Sequence, residues 1–236
     1  MGRIFEKRKH TMFARFDRMA KAFTKIGREI AIAVKAGGPD PDNNPRLRVA
    51  IQNAKGVNMP KDRVEAAIKR ASSKDASNLS EVNYEAYGPH GIAIYIETAT
   101  DNPTRTVANV RMHITRSGGA LATSGALDFI FQRKGVFKFK AEGRNLDDLE
   151  LELIDFGAED FAVDEDNNVY VYTAFTDFAT MQKALEERKI TVESAELQRI
   201  PVTQTELSEE QANEVLELVA RIEEDDDVQN VFHNLK

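Results

Sequence analysis

The sequence predicts an α+β protein, an N-terminal helical bundle followed by two ferredoxin-like α/β domains, one inserted into the other. Three patterns carry this reading. The first 74 residues have helical periodicity, with Met12, Phe16, Met19, Phe23, Ile26 and Ile30 recurring at alternate spacings of four and three. Between residues 135 and 202 the pattern runs strand, helix, strand, strand, helix, strand, which is the ferredoxin-like order. The flanks supply strand, helix, strand before that unit and strand, helix, strand after it, together completing a second unit of the same order. The predicted domains are 1–80, a basic helical domain with linker; 81–134 joined to 203–236; and 135–202, inserted between them.

In chain order, the first helix should stop at Gly37-Gly38-Pro39-Asp40-Pro41-Asp42, because glycine relieves the last turn and proline cannot extend it. Asn44 as N-cap and Pro45 at the first helical position start a second helix, with Leu47, Ala50, Ile51 and Ala54 inward and Gly56 at its end. Pro60 opens a third, burying Val64, Ala67, Ile68 and Ala71. Residues 72–80 are small and polar and read as the linker. Residues 92–100 alternate as a strand, Asn102-Pro103 repeats the cap-and-proline start, and Val107, Val110 and Ile114 form the inner side of a helix closed by Gly118-Gly119. Residues 126–131 read as a strand rich in Phe and branched side chains.

Within the inserted unit the strands are expected at 136–140, 161–164, 169–175 and 192–200. Its helices carry Leu146, Leu149, Leu153 and Phe156, then Phe178, Met181 and Leu185. The tail gives a strand at 203–207, a helix with the capping box Ser208 and Gln211 and the inner face Val215, Leu218, Val219 and Ile222, and a strand at 228–232.

Charge divides the chain more sharply than pattern does. Residues 1–74 hold 18 Lys and Arg against 7 Asp and Glu, a net of +11, while the remaining residues hold 14 against 32, a net of -18. Clustered cations release condensed counterions from nucleic acid, so the basic third points to a polyanion. The inserted unit, with 7 cations against 16 acids, and the tail, with 2 against 10, are repelled by phosphate and are expected to meet a partner protein or only solvent.

Other classes are excluded by composition. With no Cys there are no disulfides, thiolate metal sites or cysteine nucleophiles. No apolar run approaches the ~20 residues of a membrane span. The start is too charged for a signal peptide, and Glu6 and Asp17 argue against a mitochondrial presequence, so a cytoplasmic location is expected.

Candidate chemical motifs resolve toward structure. His10, His90, His113 and His233 lie far apart without metal-ligand spacing. Asp164-Glu165-Asp166-Asn167-Asn168 opens like a calcium loop but has Phe175 where the bidentate Glu belongs, so a hairpin turn is expected. Glu150, Glu152 and Asp155 flank an apolar stripe and read as its solvated side. No phosphate loop, dinucleotide fingerprint or nucleophile elbow occurs, so nothing points to an enzyme, a cofactor or a small-molecule ligand. Tyr84-Glu85-Ala86-Tyr87-Gly88-Pro89-His90-Gly91 reads either as a turn with packed aromatics or as a surface where tyrosines stack on unpaired bases.

Several blocks in one order give the chain a resemblance over nearly its whole length. They are Phe23-Thr24-Lys25-Ile26-Gly27-Arg28-Glu29-Ile30, Asn44-Pro45-Arg46-Leu47-Arg48, Asn58-Met59-Pro60-Lys61-Asp62, Ile68-Lys69-Arg70, Tyr84-Glu85-Ala86-Tyr87-Gly88-Pro89, Thr100-Asp101-Asn102 with Arg105-Thr106, and Gly118-Gly119 through Phe131 to Lys134-Gly135. On these the chain resembles the YebC/PmpR family, which also includes a mitochondrial translational activator of cytochrome oxidase. The resemblance implies a three-domain, non-enzymatic regulator that binds DNA or acts with the ribosome. It also implies a Trp-containing start, which this chain lacks, and glycines where Ala86 and His90 stand.

The expected function is therefore a DNA-binding transcriptional regulator, with a ribosome-associated factor on ribosomal RNA as the alternative. The phosphate-gripping cations are Lys7, Arg8, Lys9, Arg15, Arg18, Lys21, Lys25, Arg28, Arg46, Arg48, Lys55, Lys61, Arg63, Lys69 and Arg70. A second surface would use Tyr84, Tyr87, Arg105, Arg111 and Arg116.

Overall fold

The computed structural model describes the backbone of residues 3–73 and 78–236, and within the first helix the side chains from residue 19 onward. The chain forms two compact units, residues 1–79 and 80–236.

The first unit is helical. α1 (Arg3–Gly37) has 35 residues, about 50 Å of helix, and packs along both α2 (Pro45–Gly56) and α3 (Lys61–Ala71). Its buried stripe is Ile26, Ile30, Ala33 and Val34, which meets Leu47, Ala50, Ala54, Val64 and Ala71. Met19 and Phe23 are only half-buried, and Met12 and Phe16 lie outside the described side chains. Asn44 caps α2 as expected and does more. Its Oδ1 accepts from the Leu47 N–H at 3.1 Å, while its Nδ2 donates to the carbonyls of Ala33 at 2.7 Å and Gly38 at 2.8 Å, tying the loop back to α1. Pro60 precedes α3 as its N-cap instead of occupying its first helical position. The linker expected over 72–80 falls partly outside the described residues.

The second unit contains two four-stranded antiparallel sheets. One is ordered β3-β1-β2-β8, from β1 (Ser80–Tyr87), β2 (Ala93–Thr100), β3 (Ala120–Leu121) and β8 (Val228–His233). The helices α4 (Pro103–Arg116) and α7 (Glu209–Glu223) pack on one face, where Ile92, Ile94, Ile96, Val110, Ile114, Val215, Leu218 and Ile222 form the core. The Ser208 and Gln211 capping box and the inward face of α7 form as read from the sequence.

The other sheet is built from a segment inserted between β3 and α7. It runs β4 (Phe131–Lys140), α5 (Leu146–Ile154), β5 (Ala158–Val163), β6 (Asn168–Ala174), α6 (Phe178–Glu187), β7 (Val192–Pro201), with strand order β5-β6-β4-β7. That is the ferredoxin-like arrangement. Phe137, Phe139, Leu153, Val169, Val171, Met181 and Leu185 fill its core, and Phe178 stacks on Phe137 at 4.8 Å. Asp164 turns the β5–β6 hairpin by accepting the N–H groups of Asp166 and Asn168, the Asn168 amide at 2.7 Å and the Tyr170 hydroxyl at 3.2 Å. Those bonds, the Asn168 side chain first, hold its carboxyl below the usual carboxylate range.

Three expected elements of the outer sheet differ. Of residues 84–91, read as an aromatic turn or a stacking surface, 84–87 belong to β1, which begins at the last residue of the expected linker and pairs with β2 from Ser80↔Thr100 to Tyr87↔Ala93. Residues 126–130, read as a strand, are a turn whose Leu127, with Phe131, covers the second face of β2 at Ala93 and Tyr95. Residues 203–207 make only an isolated bridge, Thr205 with Leu235. A short apolar run has the same pattern whether it enters a ladder or covers one.

Candidate nucleic-acid interface

In the first unit, the apolar faces of α2 and α3 turn inward, leaving their cations on other faces. Arg46, Arg48, Lys55, Lys61, Arg63, Lys69 and Arg70 are all exposed. Their chemistry is not uniform. Arg48 donates from one nitrogen to the carbonyls of Pro41 and Asp42, both at 3.0 Å, so it holds the interhelical loop in place. Arg63 lies over the Phe23 ring at 5.6 Å, which fixes its guanidinium against α1. Lys61 faces Glu65 across one turn at 3.5 Å, with both side chains largely in water, so that pair neutralises little. Lys55, Lys69 and Arg70 form no ion pair among the described residues. On α1, Lys21 is exposed and Lys25 and Arg28 are half-buried. Lys7, Arg8, Lys9, Arg15 and Arg18 lie outside the described side chains.

The predicted second surface is not one surface. Tyr84 and Tyr87 are three positions apart on β1, so they point to opposite faces of the sheet. Tyr84 is half-buried against the helical core, and its hydroxyl donates to the Pro103 carbonyl at 3.4 Å. Burial, with a smaller contribution from the Asp227 charge, raises its pKa. Tyr87 is 38% exposed on the other face. Arg111 and Tyr84 both line an open groove of about 390 Å³, together with Asn83, Leu121 and Thr123. Arg116 stands exposed in the last turn of α4.

Arg105 has a structural role. Its Nη2 reaches Asp227 at 2.7 Å and Asp101 at 2.9 Å, and Asp227, 2% exposed, also accepts from the hydroxyls of Thr100 and Thr106. Hydrogen bonds to Asp227, then to Asp101, raise the pKa of the guanidinium.

Sequence reasoning missed Glu85 and Arg199. Glu85, 6% exposed, accepts the N–H groups of Gly125 and Leu127, each at 2.7 Å, and so fastens the turn over β2. Arg199 on β7 lies 4.3 Å from the Tyr95 ring centroid, donates to the Tyr95 hydroxyl at 3.0 Å and sits 3.6 Å from Glu97, joining the two sheets. No local spacing marks either residue, since their partners lie 40 and 104 positions away. His90 adopts φ 59°, the left-handed region that glycine enters freely, which accounts for the expectation of glycine there. Gly119 is required for a different reason, since a Cβ on it would lie 2.4 Å from the Tyr87 carbonyl oxygen.

The fold and its exposed cations define a class: a basic three-helix unit joined to a pair of α/β sheets, one inserted into the other. The family models for the TACO1/YebC protein N-terminal domain and for the TACO1/YebC second and third domain match residues 3–74 and 79–235. The chain belongs to the TACO1/YebC family. It is 59% identical over 235 residues to a probable transcriptional regulatory protein of Cytophaga hutchinsonii, covering 100% of this chain and 98% of that one. A protein of the same description from Anaeromyxobacter dehalogenans is 56% identical over 239 residues, with both chains fully covered. Among solved structures, a conserved hypothetical protein from Aquifex aeolicus superposes with a TM-score of 0.81 at 36% identity, covering 92% of this chain and 90% of that one. Among the described residues no helix is long and apolar enough to cross a membrane.

Proposed function

We propose that this protein is a non-enzymatic, nucleic-acid-binding regulator of gene expression, acting in the cytoplasm as a DNA-binding transcriptional regulator through its N-terminal bundle. The observation that carries the reading is the net +11 of residues 1–74, beside exposed cations on α2 and α3 that have few local acids to neutralise them. The names of the relatives above support it. Titration of duplex DNA at several salt concentrations tests it. With six to eight cations on phosphates, log K should fall with log salt at a slope of about -5 to -7. A slope near zero removes the basic unit from the mechanism.

A second reading, a ribosome-associated translation factor gripping ribosomal RNA, is favoured by one feature. The first turns of α2 and α3 lack Asn and Gln, and Arg48 is held by loop carbonyls, so base edges are poorly addressed while phosphates on either polymer are served. Tyr87, exposed and ring-bearing, adds a face that only unpaired bases can use. Tyr87→Leu should leave duplex affinity unchanged. Loss of ribosome association in that variant, with weak and sequence-blind duplex binding in both proteins, selects the translational reading.

A further inference from the structure

The inserted unit carries a helix face that its own fold does not explain. In α5 the side toward the sheet is Leu149 and Leu153, 7% and 0% exposed. On the opposite side stand Leu151 and Ile154, 67% and 53% exposed. They are three residues apart, so they sit on adjacent turns as one aliphatic pair at the centre of the solvent side. Around them Asp147, Asp148, Glu150 and Asp155 are exposed, and residues 146–155 contain no Lys or Arg. Among the described residues Glu152 alone on this helix is matched by a cation, Arg188 at 3.0 Å, which follows α6.

The acidic helix of the outer sheet provides the contrast. α7 exposes Glu209, Glu210, Glu214, Glu217 and Glu223, but Glu214 is hydrogen-bonded to the His90 ring at 2.8 Å and Glu217 is paired with Arg221 at 3.1 Å. It exposes one large aliphatic residue, Leu216. Single exposed apolar residues are ordinary on soluble proteins, and charged helix faces are ordinarily solvated. An aliphatic pair ringed by four carboxylates on a face without cations combines an anchor with a charge ring of one sign.

We propose that the solvent side of α5, centred on Leu151 and Ile154, is a docking surface for a basic amphipathic helix of a partner protein. Two aliphatic side chains of that helix would pack on Leu151 and Ile154 in the manner of adjacent-turn ridges, and its flanking Lys or Arg would meet Asp147, Asp148, Glu150 and Asp155. Phosphate polymers are repelled from this face, so the surface is separate from the nucleic-acid interface and independent of whether the target is DNA or RNA.

The test uses the full chain, isotope-labelled for amide NMR, and a synthetic helical peptide of Leu and Lys with Leu at helical spacing. Amide shifts are expected over 147–155 at lower peptide concentration than over α7. Leu151→Ser with Ile154→Ser, both on the solvent side, should weaken binding about tenfold at unchanged Tm. A peptide of the same composition with its spacing scrambled should bind about as weakly. Equal response of α5 and α7, undiminished affinity in the double variant, or equal binding of the scrambled peptide would each overturn the proposal, because charge alone would then explain the contact.

Discussion

The cations of the two units are used in opposite ways. In the second unit, basic side chains are mostly incorporated into the fold. Arg105 binds Asp227 and Asp101, Arg199 stacks on Tyr95, Arg133 lies 4.2 Å from the Phe175 centroid, Arg188 lies 4.5 Å from the Phe156 centroid while bonding Glu152, and Lys134 pairs with Glu159. In the first unit, Arg48 and Arg63 have comparable structural partners, whereas Lys55, Lys69 and Arg70 project from exposed positions without an ion pair among the described residues. The same residue types therefore serve stability in one unit and remain available to a polyanion in the other. A net charge separates the units, but only the partners of each cation reveal which of them is available.

The largest effect that sharpens this contrast is expected at Asp227. Asp227→Ala removes the acceptor of Thr100, Thr106 and Arg105 from a site where it is 2% exposed, leaving buried hydroxyls without their partner. A loss of about 3 kcal/mol in urea unfolding follows, with the salt slope of nucleic-acid binding unchanged in the folded protein. Stability within about 0.5 kcal/mol of the parent would show that the network is not structural. Glu85→Ala ranks next. It frees the N–H groups of Gly125 and Leu127 and uncovers Tyr95, for a loss of about 2 kcal/mol and faster amide exchange over 124–130. Unaltered exchange there would contradict the assigned fastening role.

How far the sequence could be read follows the same division between local and distant causes. The element order of the inserted unit was legible because its strands and helices follow one another without interruption and α5 and α6 carry their own apolar spacing, Leu149 and Leu153, then Met181 and Leu185. The helix starts at Asn44, Asn102 and Ser208 were legible elsewhere because a cap acts within a few residues. The outer sheet was not, because what decides it lies far away in sequence. The 126–130 segment has strand-like composition but is held as a turn by Glu85, some 40 residues earlier. Sequence pattern groups Arg105 with the binding residues because its partner is 122 positions distant, and nothing local marks Arg199, whose partner Tyr95 is 104 positions away. Tyr84 and Tyr87 were grouped by proximity, and only the strand assignment separates them by face. The exposure of the α2 and α3 cations was legible, since it follows from helical periodicity, but the loop role of Arg48 depends on carbonyls that no spacing announces.

The contrast can be broken from the other side at smaller cost to the fold. Lys55→Ala with Lys69→Ala and Arg70→Ala removes three exposed charges that support no described contact. Stability should stay within about 0.5 kcal/mol, and the slope of log K against log salt should move toward zero by about 3. An unchanged slope at unchanged Tm would place the phosphate contacts on other cations of the first unit.

The smallest effect concerns a basic side chain whose protonation the second unit disfavours. His233 on β8 has its pKa lowered from the ordinary 6.5, chiefly by burial and opposed by the charge of Glu223, and its Nδ1 is buried without a hydrogen-bond partner among the described residues. In the unfolded chain the imidazole takes up its proton as pH falls through about 6.5, while in the fold it resists until lower pH. The unfolded state then binds more protons, so the stability that a neutral His233 permits is present above 6.5 and declines as pH falls from 6.5 through the folded pKa. The ring is partly open to solvent, which limits the size of the effect. His233→Gln should flatten this part of the stability profile between pH 7 and pH 5 without altering the salt slope of nucleic-acid binding. If the variant keeps the parent's pH dependence, the decline belongs to other groups and His233 is not among the side chains whose charge the second unit suppresses.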